Sequence, residues 1–425
     1  MNVQVSQSII RGKLDAPPSK SYTHRAIIMA SLAKNSRIIN PLLSEDTYAT
    51  VHACESIGAV INPLTEALFV EGVEGEPRQP ENVIDCQNSG TTLRFMTALC
   101  ALIDGTSVLT GDASLRTRPS IQLIETLNAL GAKVVSTKSD GTAPLVVQGI
   151  LSGGQATITN PVSSQFLSAL LIACPLCEAD TTLQVHNLRS RPYIDITLEL
   201  LTQSGINMST DYHEFMIPCC QRYANITSSI PGDFSSAAFH LGAAAITNSK
   251  VSVSNLSKSN QGDEKIVSIL KEMGAHISWH DDIVTVDGAE LRGIAIDAGD
   301  VPDLFPILAV LGAYATGRTE IFNISHLRYK ETDRIAAMTT ELRKMQIDVT
   351  KVDDVLKING GKPKGAHVSG YGDHRIVMAL AVAALGAEGE TEIDTAESVK
   401  VSYPDFFDDI FALGANIESP ATGKL

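Results

Sequence analysis

Six segments of the chain open on polar, cap-forming residues and then turn almost wholly apolar: SKSYTHRAIIMASLA, NSGTTLRFMTALCALI, SSQFLSALLIACPL, GDFSSAAFHLGAAAI, VPDLFPILAVLGAYA and GDHRIVMALAVAAL. With Ser21, Ser89, Ser164, Ser235, Asp303 and Asp373 as anchors, they recur at intervals of 68, 75, 71, 68 and 70 residues. An Ala-rich helix that is apolar nearly all round has to be enclosed by other structure. After most of them a short turn leads into a strand such as KVSVSNL or GRTEIFNI. A second signature keeps step with the first: a helix end, Gly-Ala or a near equivalent, then a β-like pair. It appears at Gly58, Gly131, Gly205, Gly274, Gln346 and Gly414, at intervals of 73, 74, 69, 72 and 68 residues. Gly just past a helix end takes the left-handed conformation without a Cβ penalty. Gln346 breaks that pattern, so a different turn is expected in the fifth copy. Each unit reads β, buried helix, β, amphipathic helix, β, and the chain is six such units.

Six units divide into two sets of three, each closing a core, which predicts a two-domain α/β protein. The seam is expected at Pro231-Gly232-Asp233, with a second crossing at PPSKS, Pro17 to Ser21. That gives one domain over 20–232 and another over 1–19 and 233–425. A solenoid is disfavoured, because solenoid repeats run about 20–45 residues and carry less mixed content.

The 425 residues are 44% hydrophobic and 19% charged, a globular composition too long for one ordinary core. Lys plus Arg is 33 and Asp plus Glu is 48, so the net charge is 33 − 48 = −15. That argues against nucleic acid or an anionic membrane as partner, and it makes local clusters of Arg and Lys informative. No apolar stretch approaches the roughly 18 residues of a membrane span, and MNVQVSQSIIRGK has no signal-peptide core. Seven scattered cysteines fit a reducing cytoplasm, and a soluble cytoplasmic monomer is expected.

The chemistry concentrates at the starts of the buried helices. Lys20-Ser21, Asn88-Ser89-Gly90-Thr91, Ser163-Ser164-Gln165, Asp233-Phe234-Ser235, Asp303 and Asp373-His374-Arg375 all stand there. Helix capping explains any single Ser or Asp. It does not explain Lys20, Gln165, His374 or Arg375, since a cation at a helix N-terminus opposes the dipole unless an anion binds. RTRP adds Arg116 and Arg118, SRPY adds Ser190, Arg191 and Tyr193, and LRYKETDR packs Arg328, Lys330, Glu331, Asp333 and Arg334 together. No P-loop G-x-x-x-x-G-K-S/T, no G-x-G-x-x-G after a strand and no H-E-x-x-H occurs. Cys174 and Cys177 form a C-x-x-C inside an apolar helix and read as core, as do His240 and His276; neither a metal nor an organic cofactor is expected.

Taken together, PPSKSYTHRA, NSGTTLRF, RTRP, VSSQF, SRPYIDIT, VPDLFP, YKETDRI, GDHRIVM and SYPDFF resemble the 5-enolpyruvylshikimate-3-phosphate synthase family of enolpyruvyl transferases. The matches run in order from Pro17 to Phe407, and KETDR followed by DHR is their most specific pair. The resemblance implies an inside-out α/β barrel of two domains with the active site in the cleft between them. It implies transfer of the enolpyruvyl group of phosphoenolpyruvate to the 5-hydroxyl of shikimate 3-phosphate, releasing phosphate, by addition and elimination through a tetrahedral intermediate. It implies Lys20, Asn88, Gly90, Thr91, Arg94, Arg118, Gln165, Arg334, Arg375 and Lys400 on the phosphoenolpyruvate side. On the shikimate 3-phosphate side it implies Lys20, Ser21, Arg25, Ser163, Ser164, Gln165, Ser190, Tyr193, Asp303, His326 and Lys330. Asp303 is then the base for the 5-hydroxyl, with Glu331, Lys20 and His374 as candidates for the C3 proton. Two departures stand out: His326 occupies a position where Asn is familiar, and Val401 one where Lys is frequent. Lys400 lies next to Val401, in what reads as a strand, where neighbours face opposite sides. Phe95 replaces a familiar Pro, and Gly90 implies that glyphosate competes with phosphoenolpyruvate. The rival readings are an enolpyruvyl transferase acting on another acceptor, such as a UDP-sugar, and a non-catalytic anion binder. Asp303 and Glu331 argue against the second, because a pure anion binder gains by losing them.

Overall fold

The computed structural model describes residues 1–418. Its secondary structure follows the repeat. The six apolar segments form the helices Lys20–Leu32, Gly90–Cys100, Ser164–Ala173, Phe234–Ile246, Phe305–Tyr314 and His374–Gly386, and nearly every residue in them is buried. Between them lie the one-sided helices Glu45–Ser56, Ile121–Ala129, Arg191–Gln203, Lys265–Met273, Arg334–Lys344 and Phe406–Ala412.

Each repeat carries four strands rather than three, and there are six four-stranded sheets. In five sheets the extra strand closes an antiparallel hairpin, and in the sixth it is Val3–Ser6. In WHDDIVTV and KVDDVLKI the two-residue tips Asp281-Asp282 and Asp353-Asp354 join antiparallel strands, and Asp281 and Asp353 take positive φ. Asp tolerates that conformation, and two-residue hairpin loops require it. The turn at Gln346 is not different in kind: Gln346 adopts φ 65°, as Gly58, Gly131, Gly205, Gly274 and Gly414 adopt positive φ at the matching places. The fifth copy keeps the geometry and bears the Cβ strain.

Contacts divide the chain into two compact units, Met1–Pro17 with Pro231–Leu425, and Pro18–Ile230. The hydrophobic cores are equally separate, one drawn from Val3 to Ala16 and Phe234 to Ile417, the other from Tyr22 to Ile230. Within each unit the buried helices lie inside and the sheets outside. In four sheets the strand before a buried helix runs parallel to the strand after it. In the other two the opening strands are exchanged: Arg11–Asp15 leads into the Lys20 helix but pairs with Lys250–Ser254, while Thr227–Ser229 leads into the Phe234 helix but pairs with Asn35–Ile39. The N-terminal strand Val3–Ser6 completes the last sheet between Glu390–Ile393 and Asn416–Glu418. This arrangement brings the starts of the three buried helices of each unit to carry the polar residues noted above. Among the described residues no helix is long and apolar enough to cross a membrane.

Candidate active site

In the unit made of Met1–Pro17 and Pro231–Leu425, the polar helix starts converge on Asp303. Its Oδ1 accepts from Arg334 Nη1 at 3.0 Å and faces Lys330 Nζ at 3.8 Å, and its Oδ2 meets Arg375 Nη2 at 2.9 Å. Asp303 precedes the Phe305 helix rather than capping it, since Leu304 holds the N-cap position, so its carboxylate is not spent on the helix backbone. Arg334, 1% exposed, is the hub: Nε donates to Asp373 Oδ2 at 2.8 Å and Nη2 to Glu331 Oε2 at 2.7 Å. Burial alone would lower the pKa of this guanidinium, and Asp373, Glu331 and Asp303 together raise it instead. Arg guanidinium forks match carboxylates in this way because their donors are coplanar and fixed. Asp373 does two jobs, capping the His374 helix through the backbone N–H of Arg375 at 2.9 Å and gripping Arg334. Lys330 is lowered by burial, with Asp303 opposing. His326 and His374 are both buried, and His374 stands between Asp373 and Arg375 in sequence.

In the unit Pro18–Ile230, Lys20 opens its helix and pairs with Asp46 Oδ2 at 2.9 Å. Gln165, second residue of its helix, bridges two others: Oε1 accepts from Arg94 Nη1 at 2.8 Å and Nε2 donates to Thr91 at 2.9 Å. Arg94 also donates to the Pro119 carbonyl at 3.3 Å and lies over the Phe166 ring. Arg118 Nη2 donates to Asn88 Oδ1 at 2.9 Å, and Asn88 donates to Asp112 at 2.7 Å. Gly90 leaves room for these cations: a Cβ there would lie 2.3 Å from Arg94 Nη1 and 3.3 Å from Arg118 Nη1. Ser163 caps its helix by accepting from Gln165 N–H at 3.2 Å, and Ser164 and Ser21 lie at first-turn positions. Ser190 holds the N-cap of the Arg191 helix in a left-handed conformation, φ 56°, with Tyr193 three residues on. Two helix starts of this unit, at Ser163-Ser164 and at Ser190, are thus rich in hydroxyls.

Arg25 has a different place from the one its position in the motif suggests. Its side chain is 2% exposed and donates to Thr197 at 2.7 Å, the Ser21 carbonyl at 2.9 Å, the Tyr193 carbonyl at 3.2 Å and Ser168 at 3.3 Å. It braces the hydroxyl-bearing helices from behind. Lys400 also differs from expectation. The segment Ala396–Val401 is a 3₁₀ helix, not a strand, with Val401 buried and Lys400 exposed, since three residues per turn direct neighbours away from one another. His276 stands on the exposed side of its strand, whereas His240 is buried and meets the Tyr403 hydroxyl at 3.0 Å. Cys174 and Cys177 flank a 3₁₀ turn at the end of the Ser164 helix, both buried. Among the described residues no group of three or more His, Cys, Asp or Glu is arranged to hold a metal ion.

Asp46 and Asp112 were not legible as site residues. Asp46 sits in the first turn of a helix behind Ser44, where an acidic residue needs no further reason than the helix dipole.

Residues 5–410 match the EPSP synthase (3-phosphoshikimate 1-carboxyvinyltransferase) family. The 3-phosphoshikimate 1-carboxyvinyltransferase of Methanocella arvoryzae is 52% identical over 421 residues, covering 98% of this chain and 100% of that protein. The enzyme of the same name from Halobacterium salinarum is 45% identical over 430 residues, covering 98% and 100%. A solved EPSP synthase from Acinetobacter baumannii superposes with a TM-score of 0.83 at 28% identity, covering 98% of this chain and 100% of that one. The two-domain, inside-out α/β architecture of six repeated units is therefore shared across the whole length. The chain belongs to the EPSP synthase family.

Proposed function

We propose that this chain transfers the enolpyruvyl group of phosphoenolpyruvate to the 5-hydroxyl of shikimate 3-phosphate and releases phosphate, with Asp303 as the base that takes the hydroxyl proton. The observation that carries the reading is the carboxylate of Asp303 held by Lys330, Arg334 and Arg375 at 3.8, 3.0 and 2.9 Å. A binder of anions has no use for that carboxylate, whereas a reaction that must deprotonate a hydroxyl beside two phosphates requires one.

The steps follow from the proton inventory. The Asp303 carboxylate accepts the O5 proton while O5 bonds to C2 of phosphoenolpyruvate. Its negative charge is then lost, so Arg334 and Arg375 are released to the phosphate and carboxylate of the ketal that forms. Lys20, paired with Asp46 at 2.9 Å, protonates C3 during addition. Glu331, paired with Arg334 at 2.7 Å, takes the C3 proton during elimination. In that second step the C2–O bond to phosphate breaks, phosphate leaves with the electron pair, and the C2–C3 double bond re-forms. His374 then supports the start of its helix, next to Arg375. Each acid or base contributes about 10²–10⁴-fold.

Arg94, Arg118, Asn88, Thr91 and Gln165 hold phosphoenolpyruvate. Ser21, Ser163, Ser164, Ser190, Tyr193 and Lys330 hold shikimate 3-phosphate, with His326 near its ring and Arg25 bracing from behind. The working unit is the single chain, in the cytoplasm. Phosphate release from purified protein tests the reading: it should require both substrates together. Release with phosphoenolpyruvate and a UDP-sugar, but not with shikimate 3-phosphate, would overturn it.

A further inference from the structure

Asp263 lies outside the residues assigned above. It sits in the short turn Gly262–Glu264 before the Lys265 helix and is 2% exposed. Its Oδ2 accepts the hydroxyl of Ser235 in the first turn of the Phe234 helix. Its Oδ1 is buried and has no hydrogen-bond partner among the described residues. The charged groups that act on it come from three other elements: Asp303 before the Phe305 helix, Arg375 on the His374 helix and Asp233 at the cap of the Phe234 helix. Glu264 and Lys265 follow it in its own segment. Arg375 is already engaged by Asp303 at 2.9 Å. A desolvated carboxyl with one neutral donor and two acidic neighbours favours its protonated form.

We propose that Asp263 is a positioning residue that carries a proton in the working enzyme: neutral, it leaves Arg375 to Asp303 and to the incoming anion; ionised, it competes for Arg375 and repels that anion. The proposal rests on the roles given above to Asp303 and Arg375. Burial, reinforced by Asp303 and Asp233, pushes the Asp263 carboxyl up to about 7 against the pull of Ser235 and Arg375. Its charge therefore appears near neutrality, and a bound phosphoenolpyruvate delays it further.

Asp263→Asn keeps the shape and fixes the neutral state. The KM for phosphoenolpyruvate is measured for wild type and variant from below to well above neutral pH, and the ratio of the two removes the titration of phosphoenolpyruvate itself. The ratio should stay near one on the acid side and climb several-fold above neutrality, with kcat altered less. A ratio independent of pH overturns the proposal, as does a variant whose kcat collapses at every pH, because that would require the ionised form. A second measurement does not depend on turnover. A carboxyl whose folded pKa is raised stabilises the fold below its unfolded pKa and loses that contribution as pH rises from about 4 to about 7. Wild type should lose unfolding free energy relative to Asp263→Asn across that window, and equal slopes overturn the proposal. If wild type releases no phosphate with both substrates, the assigned reaction fails, while the stability comparison still decides the charge of Asp263.

Discussion

Gly90→Ala tests the phosphoenolpyruvate half of the site with a single methyl group. The new Cβ would stand 2.3 Å from Arg94 Nη1. Non-bonded heavy atoms settle at about 3.5–4.0 Å, so the guanidinium has to retreat by roughly 1 Å. It is held by Gln165 at 2.8 Å and by the Pro119 carbonyl at 3.3 Å, over the Phe166 ring, so retreat weakens its bond to Gln165 first. A hydrogen bond involving a charged group contributes about 1.5–3 kcal/mol. At about 1.4 kcal/mol per factor of ten, kcat/KM for phosphoenolpyruvate should fall roughly 10- to 150-fold. Arg94 grips the substrate before and during reaction alike, so most of the loss should appear in KM. The helix itself does not suffer: Gly90 is not at positive φ, and Ala favours a helix interior by about 1 kcal/mol. An unchanged or raised melting temperature is the control. Initial rates of phosphate release at saturating shikimate 3-phosphate give KM, and glyphosate added at fixed phosphoenolpyruvate reports the same crowding as weaker inhibition. A KM within twofold of wild type would refute the assignment of Arg94 and Gln165 to this substrate.

Asp303→Ala should lower turnover by about 10²–10⁴-fold, while phosphoenolpyruvate still raises the melting temperature, because Lys330, Arg334 and Arg375 keep their charge; near-normal turnover removes Asp303 from the chemistry. Lys20→Met should abolish most turnover and also destabilise the fold, since removing one partner of this part-buried ion pair leaves the other, Asp46, uncompensated. Adding Asp46→Asn should restore the melting temperature without restoring phosphate release; recovery of both would assign Lys20 a structural role only. Burial lowers His240 to about 3, below the ordinary imidazole value of about 6.5, so the unfolded chain binds the extra proton first and stability is lost as pH falls from about 6.5 toward about 3. His240→Leu should flatten that slope in unfolding free energy, and an unaltered slope would show that this imidazole is charged in the native state.

The repeat and the buried helices were legible because enclosure leaves a mark on every turn: in FPILAVLGAY every residue from Phe305 to Ala313 is buried. Lys20, Gln165 and Arg375 were legible for the converse reason, a charge or amide placed where capping cannot account for it. The fourth strand was not: in two sheets the hairpin tip is only two Asp residues inside a continuous run of β-formers, and in the last sheet the fourth strand is Val3–Ser6, remote in sequence from the rest of its repeat. Arg25 was visible only through the motif shared with the family; its donors meet Thr197, Ser168 and the Tyr193 carbonyl, whose sequence distance of 143 to 172 residues hides them. Asp46 and Asp263 were hidden because a lone carboxylate early in a helix or turn has an ordinary local explanation. Their meaning comes from partners, Lys20 and Asp303, that only the fold supplies.

The exchange of the two opening strands has a consequence for synthesis on the ribosome. Arg11–Asp15 emerges first, yet its partner Lys250–Ser254 follows the whole of the Pro18–Ile230 unit, and Val3–Ser6 waits longer still for Asn416–Glu418. Domains generally fold as they emerge. The inserted unit can therefore complete its three sheets as soon as Thr227–Ser229 has left the exit tunnel, while the leading seventeen residues trail unpaired beside it. During that interval Val3, Val5 and Ile10, all fully buried in the finished protein, are bare apolar side chains on an unpaired edge. The nascent chain is thus most exposed to chaperone capture at Val3–Asp15, and translation stalled between the two units should yield a folded insert preceded by a sticky, unpaired segment.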